Sequence, residues 1–115
     1  MKYGLIIFAL LLILSCNKTE QLSRDISACV RYGIDSALSK PKGSLFVKID
    51  AYNYNGAKVY LYYAGCCDRY NELKDENCNY LFSPSGGFSG AGDGMHPNFF
   101  SDASFYATIW TDIRP

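Results

Sequence analysis

Two adjacent cysteines, Cys66 and Cys67, constrain the fold of this 115-residue chain more than any other feature. Neighbouring cysteines rarely bond to each other, because so small a ring strains both the peptide unit and the S–S torsion. We therefore expect each of them to reach a partner elsewhere in the chain. Cys78 is close enough in sequence to bond back to the pair, which would close residues 66–78 into a covalent loop.

The amino terminus has the pattern of an export signal. Lys2 supplies the positive charge, and residues 5–14 form an apolar stretch too short to span a bilayer as a permanent helix. The sequence Ile13-Leu14-Ser15-Cys16 resembles a bacterial lipobox, in which the cysteine is acylated and becomes the first residue. The alternative is an ordinary secretory peptide with a chance cysteine.

The lipobox divides the chain into three parts and predicts a location. Residues 1–15 form the signal peptide, residues 16–22 a lipidated cysteine and polar tether, and residues 23–115 a single globular domain. We expect the protein in the bacterial cell envelope, outside the cytoplasm and attached to a membrane by lipid on Cys16. In a Gram-negative cell this would be the outer membrane.

With Cys16 used by lipid, four cysteines remain: Cys29, Cys66, Cys67 and Cys78. An even number in a short exported chain predicts two disulfides, with three connectivities open. A zinc site would need closely spaced cysteine pairs or histidines, and His96 is the only histidine. Removal of Lys2 with the signal leaves ten basic against eleven acidic residues, which gives no electrostatic footprint for nucleic acid.

Apolar residues at helical spacing predict one helix over residues 23–39. Ser23 is the expected N-cap, and Lys40, Pro41 and Gly43 provide the stop. Cys29 falls within the apolar stripe and should face the core. The stripe comprises Leu22, Ile26, Cys29, Val30, Gly33, Ile34, Ala37 and Leu38.

Two alternating runs, residues 46–53 and 57–63, predict a β-hairpin with two possible registers. A two-residue Asn55-Gly56 turn would mix charged and apolar side chains on one face. A turn closed by Gly56 as a bulge separates them, so we prefer it. That register collects one core face, made of Val47, Ile49, Ala51, Val59, Leu61 and Tyr63. It leaves an outer face of Lys48, Asp50, Tyr52, Lys58, Tyr60 and Tyr62.

The preferred register also predicts the disulfide pairing. If the second strand continues through Gly65, Cys67 lies on the core face and Cys66 on the outer face. Cys67 would then bond Cys29 on the buried helix stripe, and Cys66 would bond Cys78. A bulge at Gly65 would reverse this assignment.

The remaining segments complete an α+β fold, in which one N-terminal helix packs on a small antiparallel sheet of three to four strands stapled by disulfides. Residues 71–76 are interpreted as a helical turn. Residues 80–82 are a candidate third strand, and the alternation over residues 105–113 predicts the last one.

Four motifs resemble a family of small bacterial lipoprotein domains of unknown function. They are Cys-Cys-Asp at 66–68, Asp-Glu-Asn-Cys-Asn at 75–79, the glycine-rich segment Pro-Ser-Gly-Gly-Phe-Ser-Gly-Ala-Gly-Asp-Gly at 84–94, and Ile-Trp at 109–110. The resemblance extends over residues 29–114 and implies no activity. Members often carry two further cysteines where this chain has Phe82 and His96, so a third disulfide is absent here.

No cofactor or metal is expected. The glycine-rich segment lacks the G-x-G-x-x-G order and the following Lys-Ser/Thr of phosphate-binding loops, so we interpret it as structural. Asp75, Asn77 and Asn79 match the start of an EF-hand loop, but Tyr80 stands where glycine is needed. An Asx-turn cluster is the preferred interpretation. A hydrolase using the glycine-rich segment and His96 is the least favoured hypothesis.

The outer hairpin face is the candidate binding surface, because Tyr52, Tyr60 and Tyr62 form an aromatic row on it. Lys48, Asp50 and Lys58 border that row. Large, stiff tyrosines lose little entropy on binding, which suits protein or carbohydrate partners. The alternative is that the helix or another strand covers this face. We predict a non-enzymatic binding or inhibitor-like module, with a purely structural envelope lipoprotein as the second hypothesis.

Overall fold

A computed structural model describes residues 26–115, which form an α+β fold with five strands and two short helices. All strand pairs are antiparallel, in the order β4-β3-β2-β1-β5. The predicted fold class is therefore confirmed in outline, but the sheet is wider than the three to four strands expected. The elements are α1 Ala28–Leu38, β1 Phe46–Tyr54, β2 Ala57–Ala64, β3 Tyr70–Lys74, β4 Tyr80–Gly86, α2 Phe99–Asp102 and β5 Ser104–Thr111.

Helix α1 begins at Ala28, later than the predicted start at residue 23. The Ser27 hydroxyl accepts a hydrogen bond from the Val30 amide at 3.3 Å, so Ser27 is the N-cap. Ser23 lies outside the described residues. Val30 and Ala37 are buried beneath the helix, whereas Cys29 is half-buried at its margin.

The β1–β2 hairpin turns through the two residues Asn55 and Gly56, which have φ values of 50° and 78°. Positive φ at both central residues is the type I′ pattern that matches the right-handed twist of a hairpin. Tyr52 therefore pairs with Val59, and the preferred bulged register is wrong.

Both faces of the hairpin are covered, and this explains the error in register. On the helix face Val30 packs with Ile49, Ala51, Tyr60 and Tyr62. The opposite face carries a second core cluster of Val59, Leu61, Leu73, Phe82 and Phe99, with Phe99 contributed by α2. Separating core from solvent was not a constraint on these strands, because neither face is left to solvent.

Strand β3 occupies the segment interpreted as a helical turn, and that interpretation is wrong. Leu73 is buried opposite Leu61 of β2, so an apolar cross-strand pair fixes the segment in the sheet. The expected strands at residues 80–82 and 105–113 correspond to β4 and β5, although β4 runs on to Gly86.

The disulfides join Cys29 to Cys78 and Cys66 to Cys67, so the predicted pairing is wrong although all four cysteines are bonded. Strand β2 ends at Ala64, and the side-chain alternation that placed Cys67 on the core face ends with it. The pair lies instead in an exposed turn, with Cys67 at a φ of 68°.

Candidate functional site

A groove of about 700 Å³ lies between α1 and β3 on the helix face of the sheet. Tyr62 forms its floor, and the Cys29–Cys78 disulfide lines it. The helix side is lined by Tyr32, Gly33 and Ser36, and the strand side by Arg69, Tyr70, Glu72 and Lys74.

The groove exists because one short helix does not cover five strands. Helix α1 packs on β1, β2 and the Trp110 end of β5, which leaves β3 uncovered on this face. Glu72 pairs with Tyr62 and Lys74 with Tyr60, and directly paired residues share a face. The strand register therefore directs both charged side chains of β3 toward the groove.

Two acidic and two basic side chains line the groove, and three of them, Glu72, Arg69 and Lys74, are partnered within the protein; the fourth is Asp68. The Lys74 ammonium lies 3.6 Å from the Glu72 carboxylate and 4.7 Å from the centre of the Tyr62 ring. The Arg69 guanidinium donates to the backbone carbonyls of Gly43, at 2.9 Å, and of Ser44 and Cys66, each at 3.3 Å. The two carboxylates, Asp68 and Glu72, balance the two cations, so the lining has no net charge to select an ion.

Tyr62 is the most buried side chain on the groove, only 4% exposed. Burial, with a smaller contribution from neighbouring Tyr60, raises the pKa of Tyr62 to about 12. Its hydroxyl lies 4.0 Å from the Cys78 sulfur. At neutral pH this phenol is protonated, so it can take part in hydrogen bonding but is not a nucleophile.

Two exposed aromatic side chains border the groove. Tyr32 is 75% exposed on α1, and Tyr70 is 50% exposed on β3. Sequence reasoning missed both, although the period-two alternation of Tyr70, Glu72 and Lys74 around buried Leu73 would have placed these three on one strand face. Tyr32 carried a weaker signal, namely its position outside the apolar stripe of the helix.

The predicted tyrosine row is not an exposed surface. Tyr60 is only 1% exposed beneath α1, and the side chain of Tyr62 beside it is also in the core. Tyr52 lies on the opposite face of the sheet, where its ring packs edge-on against Phe99 and Phe105. The row is therefore split between two core clusters.

The charged residues expected around that row form local pairs instead. The Lys48 ammonium lies 3.5 Å from the buried Asp50 carboxylate and 4.3 Å from the centre of the Tyr63 ring. Thr108 donates a hydrogen bond of 2.7 Å to Asp50. The Lys58 ammonium lies 4.4 Å from the centre of the Tyr106 ring. Two of these contacts, Thr108 with Asp50 and Lys58 with Tyr106, link the edge strand β5 to β1 and β2.

The glycine-rich segment folds back on β4 through its own backbone. The Gly86 amide donates to the Gly90 carbonyl and the Gly92 amide to the Gly86 carbonyl, while the Asp93 amide donates to Ser83. The Asp93 carboxylate accepts from the Ser83 and Met95 amides, and these bonds lower the pKa of Asp93. These amides donate hydrogen bonds within the loop, which agrees with a structural role for the glycine-rich segment.

The Asp75 carboxylate is likewise satisfied locally. It accepts hydrogen bonds from the Asn77 and Asn79 amides, each 2.9 Å long, as expected for an Asx-turn cluster. Within residues 26–115 no group of three or more His, Cys, Asp or Glu side chains is arranged to hold a metal ion.

His96 lies outside the groove. Its ring stacks on Phe82 with the ring centres 3.7 Å apart, at the margin of the second core cluster. Phe82 and His96 are therefore neighbours in space.

The membrane anchor predicted at Cys16, with its tether over residues 16–22, lies outside the described residues. In the part of the chain that is described, no helix has the length and apolar character needed to cross a membrane.

A family model described as "Domain of unknown function (DUF6970)" matches residues 35–112, which include all five strands and most of the groove. No curated protein and no solved structure matches the chain.

Proposed function

The chain belongs to this family of domains of unknown function, and we propose that it is a non-enzymatic binding module that holds a carbohydrate chain in the groove between α1 and β3. The proposal places the domain in the bacterial cell envelope, outside the cytoplasm, with a lipid on Cys16 as its membrane anchor. The bonded state of all four remaining cysteines supports an oxidising compartment.

The observation that carries the proposal is the combination of exposed tyrosines with internally neutralised charges around one groove. A pyranose ring has apolar C–H faces and a rim of hydroxyls. The Tyr32 and Tyr70 rings can pack on those faces, because tyrosine combines an apolar body with a polar tip. The Lys74–Glu72 pair can exchange hydrogen bonds with hydroxyls without selecting a charged ligand.

The sheet topology favours a carbohydrate over an extended peptide. A peptide that binds by strand addition needs an unpaired strand edge beside its site. Strand β3, which forms one wall of the groove, pairs with β2 on one side and β4 on the other. A ligand must therefore bind through side chains rather than through strand pairing.

The chemistry of the lining favours binding over catalysis. Among the described residues that line the groove there is no histidine, and both cysteines are joined in a disulfide. The Tyr62 phenol keeps its proton well above neutral pH. Of the two carboxylates on the groove, Asp68 and Glu72, Glu72 is paired with Lys74, and Asp68 has no histidine beside it in the lining to act with it.

Calorimetric titration with a soluble tetrasaccharide of N-acetylglucosamine, an uncharged envelope-type glycan, tests the proposal. We expect saturable binding that Tyr32→Ala and Tyr70→Ala each weaken about tenfold, since each removes one packing ring. Both side chains are largely exposed, so the melting temperature should change little. Tyr106→Ala is the matched control, because Tyr106 is 43% exposed and lies on β5, away from the groove.

Two results would contradict the binding proposal. One is equal affinity in the groove variants and the Tyr106 control. The other is no heat with this glycan, with cellotetraose or with maltotetraose, which would favour the structural-lipoprotein hypothesis instead. The anchor is tested separately, because Cys16→Ala should move the protein from the membrane to the soluble fraction of the cell.

A further inference from the structure

We propose that the Cys66–Cys67 disulfide is an exchange site that accepts electrons from a protein dithiol. The proposal does not depend on what the groove binds. It rests on three observations: the bond closes almost no chain, both cysteines are exposed, and a guanidinium is fixed at the backbone of Cys66.

The length of chain that the bond closes distinguishes it from a disulfide that stabilises the fold. A disulfide stabilises mainly by limiting the unfolded chain, and the effect grows with the length of the closed loop. Cys29–Cys78 spans 49 residues, whereas Cys66–Cys67 spans one. The vicinal bond therefore adds little to global stability through this mechanism, and another role must explain it.

The second observation concerns access. Thiol–disulfide exchange needs a thiolate to approach one sulfur along the S–S axis. Cys66 and Cys67 are exposed at the tip of the turn between β2 and β3. Cys29 and Cys78 are half-buried between the helix and the sheet. An incoming thiolate can reach the vicinal pair without opening the core.

The third observation concerns the leaving group. The Arg69 Nε donates to the Cys66 carbonyl at 3.3 Å, and its two other nitrogens are held by Gly43 and Ser44. A positive charge fixed beside a cysteine favours its thiolate form. The guanidinium contacts the backbone of Cys66, so a thiolate released at Cys66 would lie within one residue of a fixed positive charge.

The exchange balances without any further reactant. A thiolate of the dithiol attacks one sulfur, which forms a mixed disulfide as the S–S bond breaks and the other cysteine leaves as a thiolate. The second thiol of the dithiol loses its proton and attacks the mixed disulfide. The proton lost when the first thiolate formed and the proton of the second thiol pass through water to the two released thiolates. The products are Cys66 and Cys67 as two thiols, with the partner oxidised to a disulfide by two electrons.

The turn itself can respond to this reaction. Cys67 and Asp68 have φ values of 68° and 51°, a region that residues other than glycine rarely occupy. Once the ring opens, Cys67, which lies within it, is free to return to negative φ. Arg69, two residues further on, lines the groove.

The test measures reduction of the folded chain, with Cys29, Cys66, Cys67 and Cys78 all present. The protein is incubated with graded dithiothreitol at neutral pH, quenched with acid, alkylated and mapped by mass spectrometry. We expect Cys66 and Cys67 to be alkylated at least about tenfold faster than Cys29 and Cys78. Equal rates, or faster opening of Cys29–Cys78, would overturn the proposal.

A trapping experiment tests the partner class. A thioredoxin-type protein whose second cysteine is replaced by serine cannot complete the exchange, so it should accumulate as a mixed disulfide on Cys66 or Cys67. A mixed disulfide on Cys29 or Cys78, or none at all, would contradict the proposal.

The double variant Cys66→Ser, Cys67→Ser checks the premise that this bond is not a staple. Its melting temperature should stay within about 3 °C of the parent protein. Loss of the folded sheet in this variant would show that the pair is structural, and the proposal would be withdrawn.

Discussion

The Arg114 guanidinium donates two hydrogen bonds to the buried Asp112 carboxylate, 2.9 Å from Nε to Oδ1 and 2.7 Å from Nη2 to Oδ2. The same group donates to the carbonyls of Ala37 and Leu38, the last two residues of α1, and of Lys40 just beyond the helix. It thus adds donors to carbonyls at the helix end, and places a positive charge at the negative end of the helix dipole. One side chain therefore joins the C-terminal segment to the helix.

This arrangement predicts acid sensitivity. Hydrogen bonds from Arg114 and its charge lower the pKa of Asp112 to about 2, below the value of about 3.9 in an unfolded chain. The unfolded state then binds the proton more readily, so the stabilisation is complete above about pH 4 and is lost as the pH falls toward 2. Thermal unfolding followed by circular dichroism between pH 2 and 7 measures this loss.

Asp112→Asn should be less stable than the parent at pH 7 and should show a flatter dependence below pH 4, because it has no proton to bind. Asp35→Asn, on the exposed side of α1, is the control and should keep the parent profile. If the stability of Asp112→Asn fell with pH as steeply as that of the parent, Asp112 would not be the group responsible for the acid sensitivity.

At alkaline pH we expect stability to fall as the pH rises. Burial raises the pKa of Tyr62 from 10.0 to about 12, so the folded state retains a proton that the unfolded state releases. Stability is therefore complete below about pH 10 and declines toward pH 12. Tyr62→Phe should keep the fold and reduce this decline, whereas Tyr106→Phe, at an exposed position, should not. Urea unfolding at pH 8 and pH 11 distinguishes them.

Residual alkaline sensitivity should remain in Tyr62→Phe. Burial also raises the pKa of Tyr63, with Tyr52 and Asp50 as smaller causes. An unchanged decline in Tyr62→Phe would show that Tyr63 or another group carries the whole effect.

The Cys29–Cys78 bond should account for much of the stability of this small domain. Removing a bond that spans 49 residues relaxes the unfolded chain by about 4 kcal/mol in the entropic model. Cys29→Ser with Cys78→Ser should therefore lower the melting temperature by at least about 15 °C. The matched control is the Cys66, Cys67 double serine variant, and equal losses in the two would contradict the different roles assigned to the bonds.

Two glycines of the glycine-rich segment provide a matched pair. Gly90 and Gly92 have φ values of 79° and 77°, so an alanine carries the same backbone cost, about 1 kcal/mol, at both. A Cβ at Gly90 meets open space, but at Gly92 it collides with the Ser83 carbonyl oxygen. We expect Gly92→Ala to cost about 2 to 4 kcal/mol in the free energy of unfolding. Equal losses would show that the loop does not pack on β4 as described.

The sequence located the elements more reliably than it oriented them. The Asn55-Gly56 dipeptide and the flanking alternation were enough to place the hairpin, because turn chemistry and side-chain period are local properties. The register depended on whether one hairpin face meets water. That depended on Phe99 of α2, which lies far along the chain and packs on the face opposite α1.

The groove could not be read from the sequence for a related reason. Tyr32, Tyr62 and Lys74 come from three separate elements, and no local pattern links them. Their meeting depends on the width of the sheet, which was underestimated because β3 was interpreted as a helical turn. Only the difference in size between one helix and five strands creates the space.

For the cysteines, the sequence determined that they are bonded, and the tertiary structure determined which of them bond to each other. Their even number, with Cys16 set aside, was sufficient to predict that all four are bonded, since that prediction uses only the cysteine count of a short chain. Their pairing depends on distance in space. Strand β2 ends before Cys66, and the β3–β4 turn brings the Cys78 Cα within 6.0 Å of that of Cys29, so the helix cysteine bonds there and the adjacent pair is left to close on itself.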